Sequence, residues 1–181
     1  MAIPRVEKAW WSKVAPKAAY GQQKEKREAM LYLGIDPGFS GAWGVIDHNG
    51  VYRGCGDMHH TDKHILSNQI WEEIVDVTRG NDIEVVVESV HSFSGQGVAS
   101  TFKFGTAFGG AVALAERLRC PWHLVTPQVW KKALKLDSDK TKSLVMARDL
   151  WPTAPLKRQK DNGRAEALLM AHWLRNQNGH N

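Results

Sequence analysis

The sequence predicts an α/β domain, and three observations carry that prediction. Short β-prone apolar runs recur between segments of helical period, in the order βββ-α-β-α-β-α-α. Acidic residues stand where two of the apolar runs end, at Asp36 and Glu88. The 181 residues, 43% hydrophobic and 24% charged, are enough to close one core without disulfides or a structural metal.

The elements follow in order. Leu31-Tyr32-Leu33-Gly34-Ile35-Asp36 reads as a buried strand ended by Pro37-Gly38. Ala42-Trp43-Gly44-Val45-Ile46-Asp47 is a second strand, and His48-Asn49-Gly50 turns it into Val51-Tyr52-Arg53-Gly54-Cys55. Asn-Gly between two β-prone runs predicts a type I′ hairpin, so three antiparallel strands open the domain. Residues 64–79 carry Ile65, Ile70, Ile74 and Val75 at helical spacing. Ile83-Glu84-Val85-Val86-Val87-Glu88 has the apolar run of a sheet interior. Residues 103–118 predict a helix with Gly105, Gly109 and Gly110 permitting close approach, either to a second copy or within the monomer. Trp122-His123-Leu124-Val125 is the last strand, and Thr126-Pro127 supplies an N-cap with proline at the first helical position. Residues 140–150 and 164–176 predict the final two helices, separated by a loop over 152–162. Residues 30–181 thus form the domain, and residues 1–29 precede it as an extension.

Composition narrows the class of function. Cys55 and Cys120 are the only cysteines, which removes a disulfide framework and CxxC zinc or redox pairs. No apolar run is read as reaching the ~20 residues of a membrane span. The net charge is +5, and residues 1–29 hold seven Lys and Arg against three Glu, so +4 of it lies in the extension. A basic extension on a near-neutral body suits a polyanionic partner, and equally a solvated tail. It has no apolar h-region and carries three glutamates, unlike a secretory signal or an organellar transit peptide. His59-His60 and His64 have loose metal spacing and no fixed geometry, so no role is assigned to them.

Four acids are the candidates for chemistry. If the strands ending at Asp36 and Glu88 are parallel neighbours, both carboxylates leave the sheet at one edge, where open α/β sheets place their sites. Asp161 and Glu166 stand at the start of the final helix, and Asp161 is positioned to be its N-cap. Acids converging there would repel one another, and divalent cations with oxygen ligands are the usual remedy. Other readings stay open: Asp36 and Asp161 also suit turns, and Glu166 suits an exposed helix surface. Glu88 is the hardest to read as a turn residue.

Taken together, these segments resemble the RuvC-type Holliday junction resolvases, most closely their bacteriophage and organellar relatives. The resemblance runs over residues 30–175. It rests on Gly34-Ile35-Asp36-Pro37-Gly38-Phe39-Ser40-Gly41-Ala42, Val87-Glu88-Ser89-Val90-His91 and Gly95-Gln96-Gly97-Val98-Ala99-Ser100-Thr101-Phe102-Lys103-Phe104-Gly105. Thr126-Pro127-Gln128-Val129-Trp130-Lys131 and Arg164-Ala165-Glu166-Ala167-Leu168-Leu169 follow in family order. The first piece alone is shared with actin-like ATPases and sugar kinases, whose two domains do not fit one ~150-residue body. The ordered set of five is specific.

The resemblance implies an RNase H-like fold with a mixed sheet flanked by helices. It also implies paired nicking of four-way DNA junctions by a homodimer, using two Mg²⁺ ions per site with Mn²⁺ as substitute. Asp36, Glu88 and Glu166 match the family acids. Asp161 departs from the pattern, lying five residues before Glu166 where relatives use three or four, and the Asn162-Gly163 pair is read as absorbing the difference. DNA contacts are expected from Phe93, Gln96, Ser100 and Lys103, and from Lys131, Lys132, Lys140, Lys142, Lys160 and Arg164. Phe93, in a polar loop over 91–101, either stacks on an unpaired base or packs beneath its own loop. Each cation is read either as a phosphate contact or as a solvated charge. Other functions within reach are an exonuclease, an RNA/DNA-hybrid nuclease, and a non-catalytic branched-DNA binding module. The expected location is the cytoplasm of a bacterial or phage-infected cell, with an organelle as the other possibility.

Overall fold

The computed structural model describes residues 29–89 and 97–179. The three opening strands are β1 (Met30–Asp36), β2 (Ala42–Asp47) and β3 (Tyr52–Asp57), followed by α1 (Ser67–Thr78) and β4 (Asp82–Glu88). Then come α2 (Val98–Arg117), β5 (Trp122–Val125), α3 (Pro127–Ala133), α4 (Lys140–Leu150), a 3₁₀ turn at Gln159–Asp161, and α5 (Asn162–Gln177). The sheet runs β3-β2-β1-β4-β5, with β1–β2–β3 antiparallel and β1, β4 and β5 parallel.

Alternation along the strands sorts the core into two layers. Leu31, Leu33, Ile35, Val85 and Val87 face one side, against Ile70 and Ile74 of α1 and Ala107, Ala111 and Leu114 of α2. Tyr32, Ile46 and Val86 face the other, against Trp130, Leu144 and a largely buried α5. On that second side two glycines are required. Gly34 and Gly44 are opposite each other across β1 and β2. A Cβ at Gly34 would stand 2.0 Å from the Ala167 carbonyl oxygen, and one at Gly44 would meet the Leu168 side chain at 2.8 Å. Their missing side chains let α5 rest directly on the sheet, and that contact fixes where Glu166 sits.

The structure differs from the sequence reading in five local ways. Only Gly50 of the 48–50 turn has a positive φ, +81°. The hairpin is therefore not type I′; it is a three-residue loop closed by the Asp47 carboxylate, which accepts from Asn49 N and Val51 N at 2.9 Å. Helix α1 begins at Ser67 rather than at 64. Helix α2 begins at Val98, so 98–101 is helix rather than loop. Three helices follow β5, because Thr126-Pro127 opens a separate short helix. Finally, α2 is, by length and composition, long and apolar enough to cross a membrane. That corrects the reading that no run reaches such a length, since Lys103 is the one charge over 98–115. One α2 face packs on the sheet while Val98 and Phe102, at 87% and 74%, lie exposed.

Candidate active site

The register of β1 and β4 meets the condition on which the acid pair depended. Ile35 pairs with Val87 in parallel, so Asp36 and Glu88 leave the sheet side by side at its carboxyl edge. Glu166, in the second turn of α5, reaches the same pocket of about 810 Å³. Ser100 and Lys103 of α2, Lys131 of α3 and Lys140 of α4 also line it, as do Phe39 and Ser40 of the turn after β1.

The three acids are held unequally. Glu88 Oε1 accepts from Trp130 Nε1 at 2.9 Å. Glu166 Oε1 accepts from Lys131 Nζ at 2.7 Å and from Ser143 Oγ at 3.3 Å. Burial pushes the Asp36 carboxyl well above its usual range, and the neighbouring charges of Glu88 and Glu166 add to the push. Burial also raises Glu88, as does the Glu166 charge, against the opposing Trp130 hydrogen bond and the Lys131 and Lys140 charges. Both groups would release this repulsion to a proton or a cation.

The donor set is all oxygen with nearby lysines, and two of its acids are electrostatically unsatisfied, which fits a hard divalent cation. Among the described residues no group of three or more His, Cys, Asp or Glu side chains is drawn together closely enough to hold a metal ion. Asp36, Glu88 and Glu166 share a pocket without forming a coordination sphere.

Asp161 is elsewhere. It lines a neighbouring cavity with Arg158 and Lys160, on the far side of the 39–41 turn. Its carboxylate does not cap α5. It turns back to accept from Arg158 N at 2.7 Å, Arg158 Nε at 3.0 Å and Arg158 Nη2 at 2.7 Å. Although burial acts to raise it, the Arg158 hydrogen bonds and charge hold this acid below its usual range. The three-residue position before Glu166 is Gly163, where a Cβ would come within 2.8 Å of the Ser40 carbonyl oxygen. No side chain fits at that position without a shift of backbone.

The expected DNA contacts divide in the same way. Ser100, Lys103, Lys131 and Lys140 face the carboxylate pocket, and Lys160 faces the second cavity. Lys142 is paired with Asp137 and Arg164 with Asp57, while Lys132 is exposed on α3 and lines neither. Phe93, Gln96 and the extension up to residue 28 lie outside the described residues. Sequence reasoning missed Trp130, Ser143 and Arg158 as partners of the acids. The Trp-Lys pair was visible, but nothing local says that Trp130 turns inward to Glu88.

Comparison with solved structures finds the same architecture in a Thermus thermophilus RuvC. The RuvC of that organism in complex with a Holliday junction substrate superposes with a TM-score of 0.56 at 20% identity, over 80% of this chain and 91% of that one. A second T. thermophilus RuvC structure aligns at 22% identity over 82% and 97% of the two chains, with a TM-score of 0.49. No family model and no curated protein sequence matches. The fold is accordingly the RNase H-like α/β arrangement of RuvC.

Proposed function

We propose that this chain is a RuvC-like, divalent-metal-dependent endonuclease that resolves four-way DNA junctions by symmetric paired nicking as a homodimer. The observation that carries the reading is the meeting of Asp36, Glu88 and Glu166 at the carboxyl edge of a sheet with RuvC architecture. Asp36 and Glu88, whose charges repel in the free site, would hold two Mg²⁺ ions, with Glu166 as the further ligand and Mn²⁺ as a substitute. When bound, the metal supplies an activated water and neutralises the leaving oxygen. Lys131 and Lys140 lie beside the acids and position the scissile phosphate by charge, without reading sequence. Lys131 must exchange Glu166 for phosphate to do so.

The exposed outer face of α2, with Val98 and Phe102 and open space over Gly105 and Gly109, supports the homodimer. A bacterial or phage-infected cytoplasm is the proposed location. The second reading, a branched-DNA binding module without catalysis, is favoured by the Lys131–Glu166 ion pair, which satisfies one acid without metal. Incubating end-labelled four-way junction and matched linear duplex with Mg²⁺ separates the two. Symmetric nicks confined to the junction are expected. Tight junction binding with no nicks in Mg²⁺ or Mn²⁺ would establish the binding module instead.

A further inference from the structure

We propose that the cavity beside the carboxylate pocket is a second phosphate-holding site. It takes a backbone phosphate of the cut strand next to the scissile one, and Asp161 serves there as the positioning residue for Arg158. This rests on the nuclease reading for its substrate, and on its own geometry for the site.

The cavity has a volume of about 390 Å³ and shares Phe39, Ser40 and Gly41 with the carboxylate pocket. A polymer lying across the acids therefore continues over that turn into the cavity. The cavity's own acids are already committed. Asp57 takes both forks of Arg164, at 2.6 and 2.7 Å, and Asp161 takes Arg158. The cations are not used up. Arg158 carries five N–H donors, of which Nε–H and one Nη2–H go to Asp161, and its side chain is 53% exposed. The remaining donors and the Lys160 ammonium suit an anion at the cavity wall.

His60 lines the same cavity, and its ring packs on Phe39 with centroids 4.9 Å apart. The His60 Nδ1 is 2.8 Å from the Thr61 carbonyl oxygen, which can only accept, so Nδ1 carries the hydrogen. That bond fixes the ring as a flat flank against which a sugar can lie. The ligand is thus an anion with an apolar neighbour on a continuous chain, which is the chemistry of a phosphodiester backbone. Asp161 is buried beneath Arg158 and holds both its backbone and its side chain. It fixes the guanidinium without touching the strand.

The test is a methylphosphonate scan. Four-way junctions carrying one neutral phosphate at successive positions around the cut site are bound in EDTA by wild-type, K160Q and D161N protein, with thermal melts as the folding control. Wild type should lose about five- to tenfold in affinity at one position flanking the scissile phosphate, the worth of a charge-assisted contact. K160Q and D161N should bind the unmodified junction correspondingly more weakly and lose little further at that position. Lys160 is exposed, so K160Q decides the matter even if D161N fails to fold. Equal losses in wild type and K160Q, or no flanking position that matters, would overturn the site. D161N binding like wild type in EDTA would overturn the positioning role. Wild-type binding without junction preference defeats the resolvase reading alone, since the same scan on linear DNA still decides this one. No binding to any DNA defeats both.

Discussion

Two cavities share the 39–41 turn as a common wall, and they treat their acids in opposite ways. On one side the half-buried Asp36 and the buried Glu88 lie beside another carboxylate, and both are pushed toward the protonated form. On the other, Asp161 and Asp57 each receive an arginine through two side-chain hydrogen bonds, and Asp161 is held in the charged form. A folded chain rarely leaves buried like charges uncompensated unless something else is to neutralise them. The difference leaves the first pocket with carboxylates that repel one another, as the proposed cation site requires, and the second already charge-balanced, with cationic donors left over for the proposed anion.

The largest effect should come from Asp36. Asp36→Asn or Glu88→Gln should lower Mg²⁺-dependent cleavage of a four-way junction by at least about a hundredfold, since even indirect partners of metal ligands cost that much. Junction binding should be kept or improved, because removing a negative charge beside phosphate cannot weaken it electrostatically. Full activity in either variant would remove the distinction between the two cavities.

The same contrast predicts opposite pH dependence of stability. For Asp36, with its raised folded-state pKa, the contribution is present below the ordinary carboxylate range and is lost as pH rises through the raised value. For Asp161 the contribution is present above the ordinary range and is lost as pH falls through the lowered value. In metal-free buffer at neutral pH, Asp161→Asn should destabilise by about 2 kcal/mol through lost charge-assisted hydrogen bonds. Asp36→Asn should instead raise the melting temperature by about 2–4 °C, the equivalent of roughly 1 kcal/mol in a chain of this size. Chemical denaturation and calorimetry read both, and shifts of the same sign would break the comparison.

A finer test is Lys131→Gln. It leaves Glu166 without its ion-pair partner at 2.7 Å and removes a charge that lowers both Asp36 and Glu88. The acid limb of the cleavage rate against pH should move toward higher pH, beyond any loss of rate at the plateau. An unmoved limb would mean that Lys131 does not tune the acids. The smallest expected change is Trp130→Phe, which removes the 2.9 Å hydrogen bond to Glu88 while keeping the ring's packing. It should cost about 1 kcal/mol of stability and shift the same limb slightly in the same direction.

The sheet was legible because its signals are local. Alternating and continuous apolar runs, Pro37-Gly38 and Thr126-Pro127 mark element ends by steric rules that act within a few residues. Asp36 and Glu88 were legible as a pair for the same reason, since each ends a strand whose period could be read. The hairpin type was not, because the Asp47 side chain, three residues before Gly50, outweighs the Asn-Gly preference. The start of α2 was missed because Val98-Ala99-Ser100-Thr101 has no helical apolar stripe of its own. Asp161 was placed with the other acids by spacing to Glu166, yet one turn of chain decides which side of the 39–41 wall a carboxylate faces.

What the sequence by itself determined is the order of the elements, the class of the sheet, and an acid at the end of each of two strands. Those depend on backbone sterics and on the period of burial, which neighbours along the chain suffice to specify. Only the tertiary structure decided that Gly34 and Gly44 would open the sheet to α5 and so bring Glu166 over the strand ends. It alone gave Lys131 and Trp130 to the acids of one pocket and Arg158 to Asp161 in the next. Which charges compensate one another depends on distances between residues far apart in the chain, and no local pattern encodes those distances.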